Sequence, residues 1–506
     1  MLSIINSSNL IGIDAFDVSV EVDISRGIPS FNIVGLAGVE IKESRERVKS
    51  AITNSGYNFP NLRIVINLSP ADIKKEGSFF DLPISIGILR SIIKKDDSYL
   101  KESIFVGELS LDGNIKKVRG ILPILIYAKE NNIKRVFIPY ENRLEATYIE
   151  GLEIIPLKNL KQTIEYLNDF LKIDKIDNNI EIKEHYYEDD FSDVYGSYFV
   201  KRGAEIVAAG NHNMIMIGPP GSGKTMIAKR IVSILPSITK DEIIEVSKIY
   251  SSIGMIDENI GVFNKRPFRN PHHTTTKQSI IGGGVNAKPG EIVLSHRGVL
   301  FLDEIAEFDK KILESLRQPI EDKEVNISRV KYNLKYPSNF LFMASMNPCP
   351  CGYNMSGQDC KCRPYEVDRY INKISGPLLD RFDVFTEVNS IHYSEFSKSK
   401  SEKSINIRKR VEYARNIQLK RYEGTNIKSN DDMKSSDIEK YCKLDDNAKK
   451  SIDLIFNKYN LSNRSYTKLL KVARTISDLE KEENITQESI MEAFSYRKAY
   501  YKYFKC

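Results

Sequence analysis

The first 170 residues switch repeatedly between strand-like and helix-like spacing of their hydrophobic positions. Apolar and polar side chains alternate over residues 15–22, which predicts a strand with one buried face. Largely apolar runs at 63–68 and 135–139 predict buried strands, and helical spacing lies between the three strand signals, for example over 40–55. This succession predicts a self-contained α/β domain over residues 1–170.

Three further segments follow this domain. Residues 171–192 are acidic and lack periodic apolar positions, which predicts a linker. Residues 193–389 predict a core built on a buried parallel sheet, with strands at 214–217, 298–302 and 340–346. Residues 390–506 begin with a polar stretch and then show helical spacing, which predicts a helical C-terminal domain.

Composition limits the class of protein. Of the 506 residues 41% are hydrophobic, which suffices for packed cores in about three domains of roughly 150 residues. The apolar runs are too short to span a bilayer, and residues 1–6 lack the basic start and long apolar segment of a secretory signal. We therefore expect a cytoplasmic protein that does not contact membranes.

The charge is unevenly distributed. The net charge is +6, but residues 391–506 hold 25 basic and 17 acidic residues, a local net charge of +8. A basic C-terminal domain suits an anionic partner such as nucleic acid. An ordinary solvated helical surface explains the same charge equally well.

A phosphate-binding loop follows the apolar run at 214–217. The stretch fits the pattern G-x-x-x-x-G-K-[ST], and its residues are Gly218, Pro219, Pro220, Gly221, Ser222, Gly223, Lys224 and Thr225. Backbone N–H groups of such a loop surround phosphates, while Lys224 adds a charge and Thr225 offers a hydroxyl to Mg²⁺. Residues 226–232 predict a helix directly after the loop, so we expect the chain to bind ATP with Mg²⁺.

Two later strands end in residues suited to hydrolysis. The run at 298–302 is followed by Asp303, which can hold Mg²⁺, and by Glu304, which can polarise the attacking water. The run at 340–346 is followed by Asn347, whose side chain can sense the γ-phosphate. Together with the loop, these residues predict an ATPase.

Arginines complete this arrangement. Arg381 lies where an arginine can act on the nucleotide of a neighbouring subunit. Arg464 opens a helix in the last domain and can reach phosphate, and Arg474 on the same helix is its competitor. In this order, Asn347, Arg381 and Arg464 resemble sensor 1, the arginine finger and sensor 2 of the AAA+ ATPases.

Four further stretches carry a closer resemblance: RPFRNPHHT at 266–274, GGG at 282–284, PGEI at 289–292 and NPCPCG at 347–352. They resemble the magnesium-chelatase-like ATPases of the YifB/ComM family, over nearly the whole chain. The resemblance implies a homo-oligomer, a ring of six with ATP at subunit interfaces. It also implies a DNA helicase of the ComM type, which promotes branch migration during natural transformation.

Residues 325–334 predict a hairpin between the Asp303 strand and the Asn347 strand. In related helicases such a hairpin lines the pore of the ring, so Arg329 and Lys331 would contact DNA phosphates without sequence preference. A surface hairpin with solvated charges is the alternative.

Four cysteines form a cluster, Cys349, Cys351, Cys360 and Cys362. Four thiolates favour Zn²⁺ in a closed structural site, although the Cys-x-Cys spacing departs from the usual Cys-x2-Cys pairs. Reduced structural thiols and redox-active thiols are the alternatives.

The N-terminal domain resembles the proteolytic domain of Lon proteases at residues 107–113 and 136–142. The catalytic pair does not carry over, because Ser78 lies one place early and Ile124 stands at the position of the lysine. Since a serine without a base is not activated, we expect a non-proteolytic domain used for assembly or DNA contact.

These features favour an ATP-driven DNA motor. A chelatase-type or chaperone-like ATPase that remodels protein is the alternative. DNA-stimulated ATP hydrolysis would distinguish the two.

Overall fold

The structure, a computed structural model, describes residues 1–174, 176, 185, 187–284, 287–328, 333–354, 359–389 and 401–504. Much of the expected acidic linker and most of the polar stretch before the C-terminal helices lie outside these residues. The chain forms two compact units. Unit 1 comprises Met1–Lys183, Thr239–Asn264 and Val285–Lys288, and unit 2 comprises Glu184–Ile238, Lys265–Gly284 and Pro289–Cys506.

Unit 1 contains a four-stranded sheet in the order β1-β2-β4-β3 and a three-stranded parallel sheet in the order β5-β8-β9. The strands are β1 (Leu2–Ile11), β2 (Asp14–Ser25), β3 (Ser30–Val34), β4 (Arg63–Ser69), β5 (Ser103–Phe105), β6 (Glu108–Leu109), β7 (Ile115–Lys116), β8 (Arg135–Pro139) and β9 (Glu153–Leu157). The helices are α1 (Val39–Asn54), α2 (Asp81–Ile88), α3 (Asp97–Lys101), α4 (Ile121–Glu130), α5 (Arg143–Ala146) and α6 (Leu160–Leu167).

The alternating pattern of β2 sets its orientation. Val18, Val20 and Val22 are buried, while the polar residues between them lie on the more exposed face. Each buried valine stabilises the fold by about 1.5–3 kcal/mol. The predicted helix over 40–55 is observed as α1.

Unit 2 is built on five parallel strands in the order β11-β14-β17-β10-β18. The strands after residue 210 are β10 (Met214–Ile217), β11 (Phe268–Arg269), β12 (Gly282–Gly283), β13 (Lys288–Pro289), β14 (Val299–Leu302), β15 (Glu324–Ser328), β16 (Asn333–Pro337), β17 (Leu341–Met346) and β18 (Val384–Glu387). The central strands β10, β14 and β17 are buried along their whole length, as expected of a parallel sheet covered on both faces.

Most helices after residue 190 belong to unit 2. Those up to residue 380 are α7 (Tyr198–Gly210), α8 (Lys224–Arg230), α9 (Lys240–Ser252), α10 (Lys277–Ile281), α11 (Glu291–Leu294), α12 (Lys310–Ser315), α13 (Arg317–Asp322), α14 (Pro364–Ile371) and α15 (Gly376–Leu379). The C-terminal helices are α16 (Ser404–Arg421), α17 (Ser435–Tyr441), α18 (Asp446–Tyr459), α19 (Asn463–Leu479), α20 (Gln487–Ser495) and α21 (Lys498–Phe504).

Helix α9 belongs to unit 1, although in sequence it follows the helix of the phosphate-binding loop. The backbone N–H of Gly120 donates to the carbonyl of Ser251 (2.8 Å), and the Ser251 hydroxyl donates to the buried Glu145 carboxylate (2.6 Å). Lys248 pairs with Asp14 at 2.6 Å. Contacts between residues far apart in sequence therefore place this helix.

The predicted fold class is confirmed: an α/β N-terminal domain, a parallel-sheet core and a helical C-terminal region. Among the described residues, every helix is too short or too polar to cross a membrane.

Candidate active site

The phosphate-binding loop forms the turn between β10, which ends at Ile217, and α8, which begins at Lys224. Gly221 and Gly223 have φ angles of +73° and +89°, in the left-handed region that glycine adopts without strain. A Cβ atom on either glycine would meet nothing within 4 Å, so backbone conformation selects glycine there. Such a turn lets backbone N–H groups surround phosphate oxygens.

Lys224 is buried and connects the loop to a neighbouring strand. Its Nζ donates hydrogen bonds to the carbonyls of Gly218 (2.7 Å) and Pro219 (2.8 Å) and to Oδ1 of Asn347 (3.2 Å). Burial lowers the pKa of Lys224 to about 8, against the pull of two acidic neighbours. The structure thus brings together two predicted site residues from separate strand ends.

Thr225 and Asp303 also meet. The Thr225 hydroxyl donates to Oδ2 of Asp303 at 2.7 Å, and the Ser345 hydroxyl donates to Oδ1 of the same carboxylate. Ser345 in turn accepts the backbone N–H of Glu304 at 3.1 Å. Sequence reasoning missed Ser345, whose signal is a lone hydroxyl in an otherwise apolar strand. The hydroxyl and the carboxylate are oxygen donors of the kind that Mg²⁺ prefers.

Glu304 lies at the end of β14 with an exposed side chain and a φ of +52°. This conformation costs a non-glycine residue about 1–3 kcal/mol, and such strain concentrates at functional sites. Because β14, β17 and β10 are adjacent and parallel, their carboxyl ends share one edge of the sheet. That edge carries Glu304, Asn347 and the phosphate-binding loop.

Arg381 and Arg464 meet on one carboxylate of α13. Arg381 Nη2 donates to Glu321 Oε2, and Arg464 Nη2 lies 3.9 Å from Glu321 Oε1. Burial and the positive charge of Arg464 lower the pKa of Arg381. Neither arginine has a described hydrogen bond or ion pair with the phosphate-binding loop. Glu321 is a second site residue that sequence reasoning missed.

The competing candidate Arg474 is buried within the helical region. Its Nε donates to Asp478 at 3.1 Å, and its Nη atoms donate to the carbonyls of Glu483 (2.7 Å) and Glu482 (2.6 Å). Because these partners occupy its guanidinium, Arg474 is less available to a phosphate than Arg464, whose side chain is more exposed.

A buried ion pair holds the backbone around Arg381. Lys468 Nζ lies 2.7 Å from Asp383 Oδ1 and donates to the Phe382 carbonyl at 3.1 Å. The side chain of Asn213 donates to the Arg381 carbonyl at 3.0 Å, and its backbone N–H donates to Asp383 at 2.9 Å. Although burial opposes ionisation, Lys468 lowers the pKa of Asp383 to about 2. Helix α19 therefore fixes the position of Arg381.

The predicted hairpin is present as the antiparallel pair β15–β16, in register from Glu324 opposite Pro337 to Ser328 opposite Asn333. Arg329 and Lys331, the expected DNA contacts, lie in the connection and outside the described residues.

The four clustered cysteines converge. The Sγ atoms of Cys349, Cys351 and Cys360 lie 3.3–3.7 Å apart, and the Sγ atoms of all four, Cys362 included, lie within 4.8 Å of one another. The backbone N–H of Tyr353, more than the neighbouring thiols, lowers the pKa of Cys351 to about 6. This set can hold one metal ion.

In the N-terminal domain, the Ser78 hydroxyl donates to the Glu108 carboxylate. Ile124, at the position of the lysine of Lon proteases, is fully buried in α4.

Comparison with known proteins identifies the family to which the chain is similar. Family models match residues 190–396 (magnesium chelatase, subunit ChlI), 20–142 (subunit ChlI of Mg-chelatase) and 401–497 (magnesium chelatase, subunit ChlI C-terminal). Competence protein ComM of Haemophilus influenzae is 38% identical over 502 residues, covering 98% of this chain and 97% of the relative. The protein YifB of Escherichia coli is also 38% identical, over 499 residues, with the same coverage.

The N-terminal domain has a separate likeness. Lon protease 2 of Bacillus subtilis is 30% identical over 166 residues, which is 29% of this chain and 29% of that protein. The matches along nearly the whole chain and the arrangement of Lys224, Asp303, Glu304 and Asn347 at one edge of the sheet both indicate an ATPase. The chain is therefore an AAA+-type ATPase and belongs to the magnesium-chelatase-like YifB/ComM family.

Proposed function

We propose that the protein is an ATP-driven DNA motor that acts as a helicase or branch-migration ring. The observation that carries the DNA assignment is the β15–β16 hairpin. In sequence it lies between β14 and β17, the two strands that are followed by Glu304 and Asn347. We infer that nucleotide-dependent movement of either strand end would be transmitted to the hairpin, because the hairpin lies between the two strands in sequence.

Within the ATP site each residue has a distinct role. Lys224 neutralises phosphate charge, and Thr225 and Asp303 would hold Mg²⁺, which when bound would supply positive charge to the transferred phosphoryl group. Glu304 orients and deprotonates the attacking water, since its carboxylate is exposed at the shared strand edge. Asn347, bonded to Lys224, senses whether the γ-phosphate is present.

The arginine pair supports a ring, with six subunits as the family resemblance implies. Arg381 and Arg464 come from different elements but contact the same Glu321. We infer that both face the nucleotide of the next subunit, whose γ-phosphate takes the place of Glu321. An arginine supplied in this way stabilises transition-state charge. Each ATP site then needs two subunits, so the motor works only when assembled.

DNA contact is assigned to the hairpin connection and the basic C-terminal region. Arg329 and Lys331 would bind phosphates without reading sequence, and such binding weakens as salt concentration rises. The relative named competence protein ComM, similar along the whole chain, supports a role in DNA uptake and recombination.

The test is the ATPase rate with and without single-stranded or forked DNA. We expect DNA to stimulate hydrolysis and R329A/K331A to lose this stimulation while keeping the basal rate. K335A is the matched control, because Lys335 lies on the same hairpin with an exposed side chain 3.6 Å from Glu324. A protein that neither binds DNA nor responds to it would instead be a remodelling ATPase acting on protein.

A further inference from the structure

The loop that follows β17, residues 347–362, carries all four clustered cysteines and lies against the phosphate-binding loop. We call it the cysteine loop; its residues 355–358 lie outside the described part of the chain. It begins at Asn347, directly beyond the strand end, and Cys349 is fully buried two residues later. The cluster is thus part of the segment that positions a residue of the ATP site.

The spacing of the sulfur atoms fits one tetrahedral ion. Four sulfurs bound at about 2.3 Å around a tetrahedral Zn²⁺ lie roughly 3.8 Å from one another. The observed Sγ–Sγ distances are 3.3 Å for Cys349–Cys351, 3.6 Å for Cys351–Cys360 and 3.7 Å for Cys349–Cys360. Disulfide bonding would need about 2.05 Å. Together with the Cys362 sulfur, which lies within 4.8 Å of the other three, this spacing fits four ligands of one ion.

The chemistry of the four donors selects the ion. Four thiolates in tetrahedral geometry are typical of zinc or iron–sulfur sites and unsuited to Mg²⁺ or Ca²⁺. Four thiolates within 4.8 Å of one another would repel unless a cation lay between them. Because the protein fills all four positions, none is open for water or substrate, and the ion has a structural role.

Two contacts tie the cysteine loop to the phosphate-binding loop. Asn347 Oδ1 accepts a hydrogen bond from Lys224 Nζ at 3.2 Å. At Gly352, φ is +87° and a Cβ atom would lie 2.4 Å from Cδ of Pro220, so the ring of Pro220 packs against the Gly352 backbone with no room for a side chain. The backbone N–H of Asn354 also lies 3.3 Å from the Cys349 sulfur. An ion bound by the four cysteines would therefore fix the backbone of the cysteine loop, and that loop contacts the phosphate-binding loop through Asn347 and Gly352.

We propose that Cys349, Cys351, Cys360 and Cys362 bind one Zn²⁺, and that this ion braces Asn347 and the phosphate-binding loop for ATP hydrolysis. The second half of this proposal rests on the ATPase assignment. The ion positions residues and takes no part in the reaction. Its loss should slow turnover more than it weakens nucleotide binding, because Lys224 and the loop backbone remain while γ-phosphate sensing is disturbed.

The first test is metal content of the full-length protein purified without chelators. We expect one zinc per chain, and Co²⁺ exchanged into the site should give the visible absorption of a tetrahedral thiolate complex. C351S/C360S should lack the metal. C442S is the control and should retain it, because Cys442 is buried at the C-terminal end of α17, outside the cluster. The proposed zinc site is wrong if the wild-type protein contains no zinc and also fails to take up Zn²⁺ or Co²⁺. It is also wrong if the purified protein contains iron instead of zinc.

The second test measures turnover and binding together. In C351S/C360S we expect kcat to fall by about tenfold or more, with the Kd for a non-hydrolysable MgATP analogue within about threefold of wild type. Removing zinc from the wild-type protein should lower kcat, and restoring zinc should recover it. This measurement tests the proposal even if the C351S/C360S variant misfolds. An unchanged kcat after zinc removal overturns the bracing role. Wild-type protein that binds zinc but hydrolyses no ATP contradicts the ATPase assignment and leaves the metal site standing.

Discussion

We predict that nucleotide affinity falls as pH rises above about 8, because the Lys224 side chain then loses its positive charge. Its side chain is buried, and burial lowers its pKa to about 8 before nucleotide binds. A bound triphosphate raises that pKa again, because negative phosphates favour the ammonium form. Binding above pH 8 must therefore include the uptake of a proton by Lys224.

The magnitude follows from the fraction of charged lysine. With a pKa near 8, about three quarters of the side chains are charged at pH 7.5 and about 3% at pH 9.5. The apparent Kd for nucleotide should rise by about 25-fold between these values, or about 1.9 kcal/mol. The sign is fixed: affinity is constant well below pH 8 and falls progressively above it.

The assay is titration of a non-hydrolysable MgATP analogue at constant ionic strength from pH 7.5 to 9.5. Calorimetry in two buffers of different ionisation enthalpy should show proton uptake that approaches one per site near pH 9. K224R is the matched control, because arginine stays charged throughout this range and its affinity, although weaker, should not change with pH. A wild-type Kd that changes by less than about threefold, or an equal rise in K224R, would refute the reasoning.

Three further predictions concern hydrolysis and stability. E304Q should bind MgATP with unchanged affinity but hydrolyse it at least about 100-fold more slowly, measured as phosphate release, because the amide cannot take a proton; a rate near wild type would exclude Glu304 as the base. R381A and R464A should each lower kcat by on the order of 10³-fold, and mixing R381A with E304Q subunits should restore turnover, since each supplies what the other lacks; mixed rings that stay inactive would argue against action between subunits. K468M should lower the free energy of unfolding in urea by about 3–5 kcal/mol, because it leaves the Asp383 carboxylate buried without its partner. Since the pKa of Asp383 is about 2, this stabilisation should be present above about pH 4 and lost as pH falls toward 2, so a K468M deficit that persists at pH 2 would contradict it.

Part of the site could be predicted from the sequence because it depends on residues that are close together in the chain. The phosphate-binding loop requires glycines at fixed positions, and its function resides in one contiguous turn of backbone. The buried parallel strands were predictable because each must be apolar on both faces. Asp303, Glu304 and Asn347 could be found because they directly follow buried apolar strands, whose carboxyl ends meet at one edge of a parallel sheet. The β15–β16 hairpin was predictable because its two strands are close in sequence.

Other features depend on contacts that no local pattern encodes. Ser345 and Glu321 look like ordinary polar residues until the fold places them against Asp303 and Arg381. Arg464 and its competitor Arg474 lie on one helix, and only packing shows that the guanidinium of Arg474 is bonded to carbonyl groups of its own helical region.

The sequence by itself determined that this chain holds an ATPase core between an α/β domain and a helical region, because turns, strand ends and periodicity are local properties. The tertiary structure alone decided which of those residues meet. Lys224 and Asn347 are 123 positions apart, and they bond because β10 and β17 are neighbours in the sheet. Gly352 reaches Pro220 for the same physical reason: strand order, not sequence distance, determines which loops lie together at the edge of a parallel sheet.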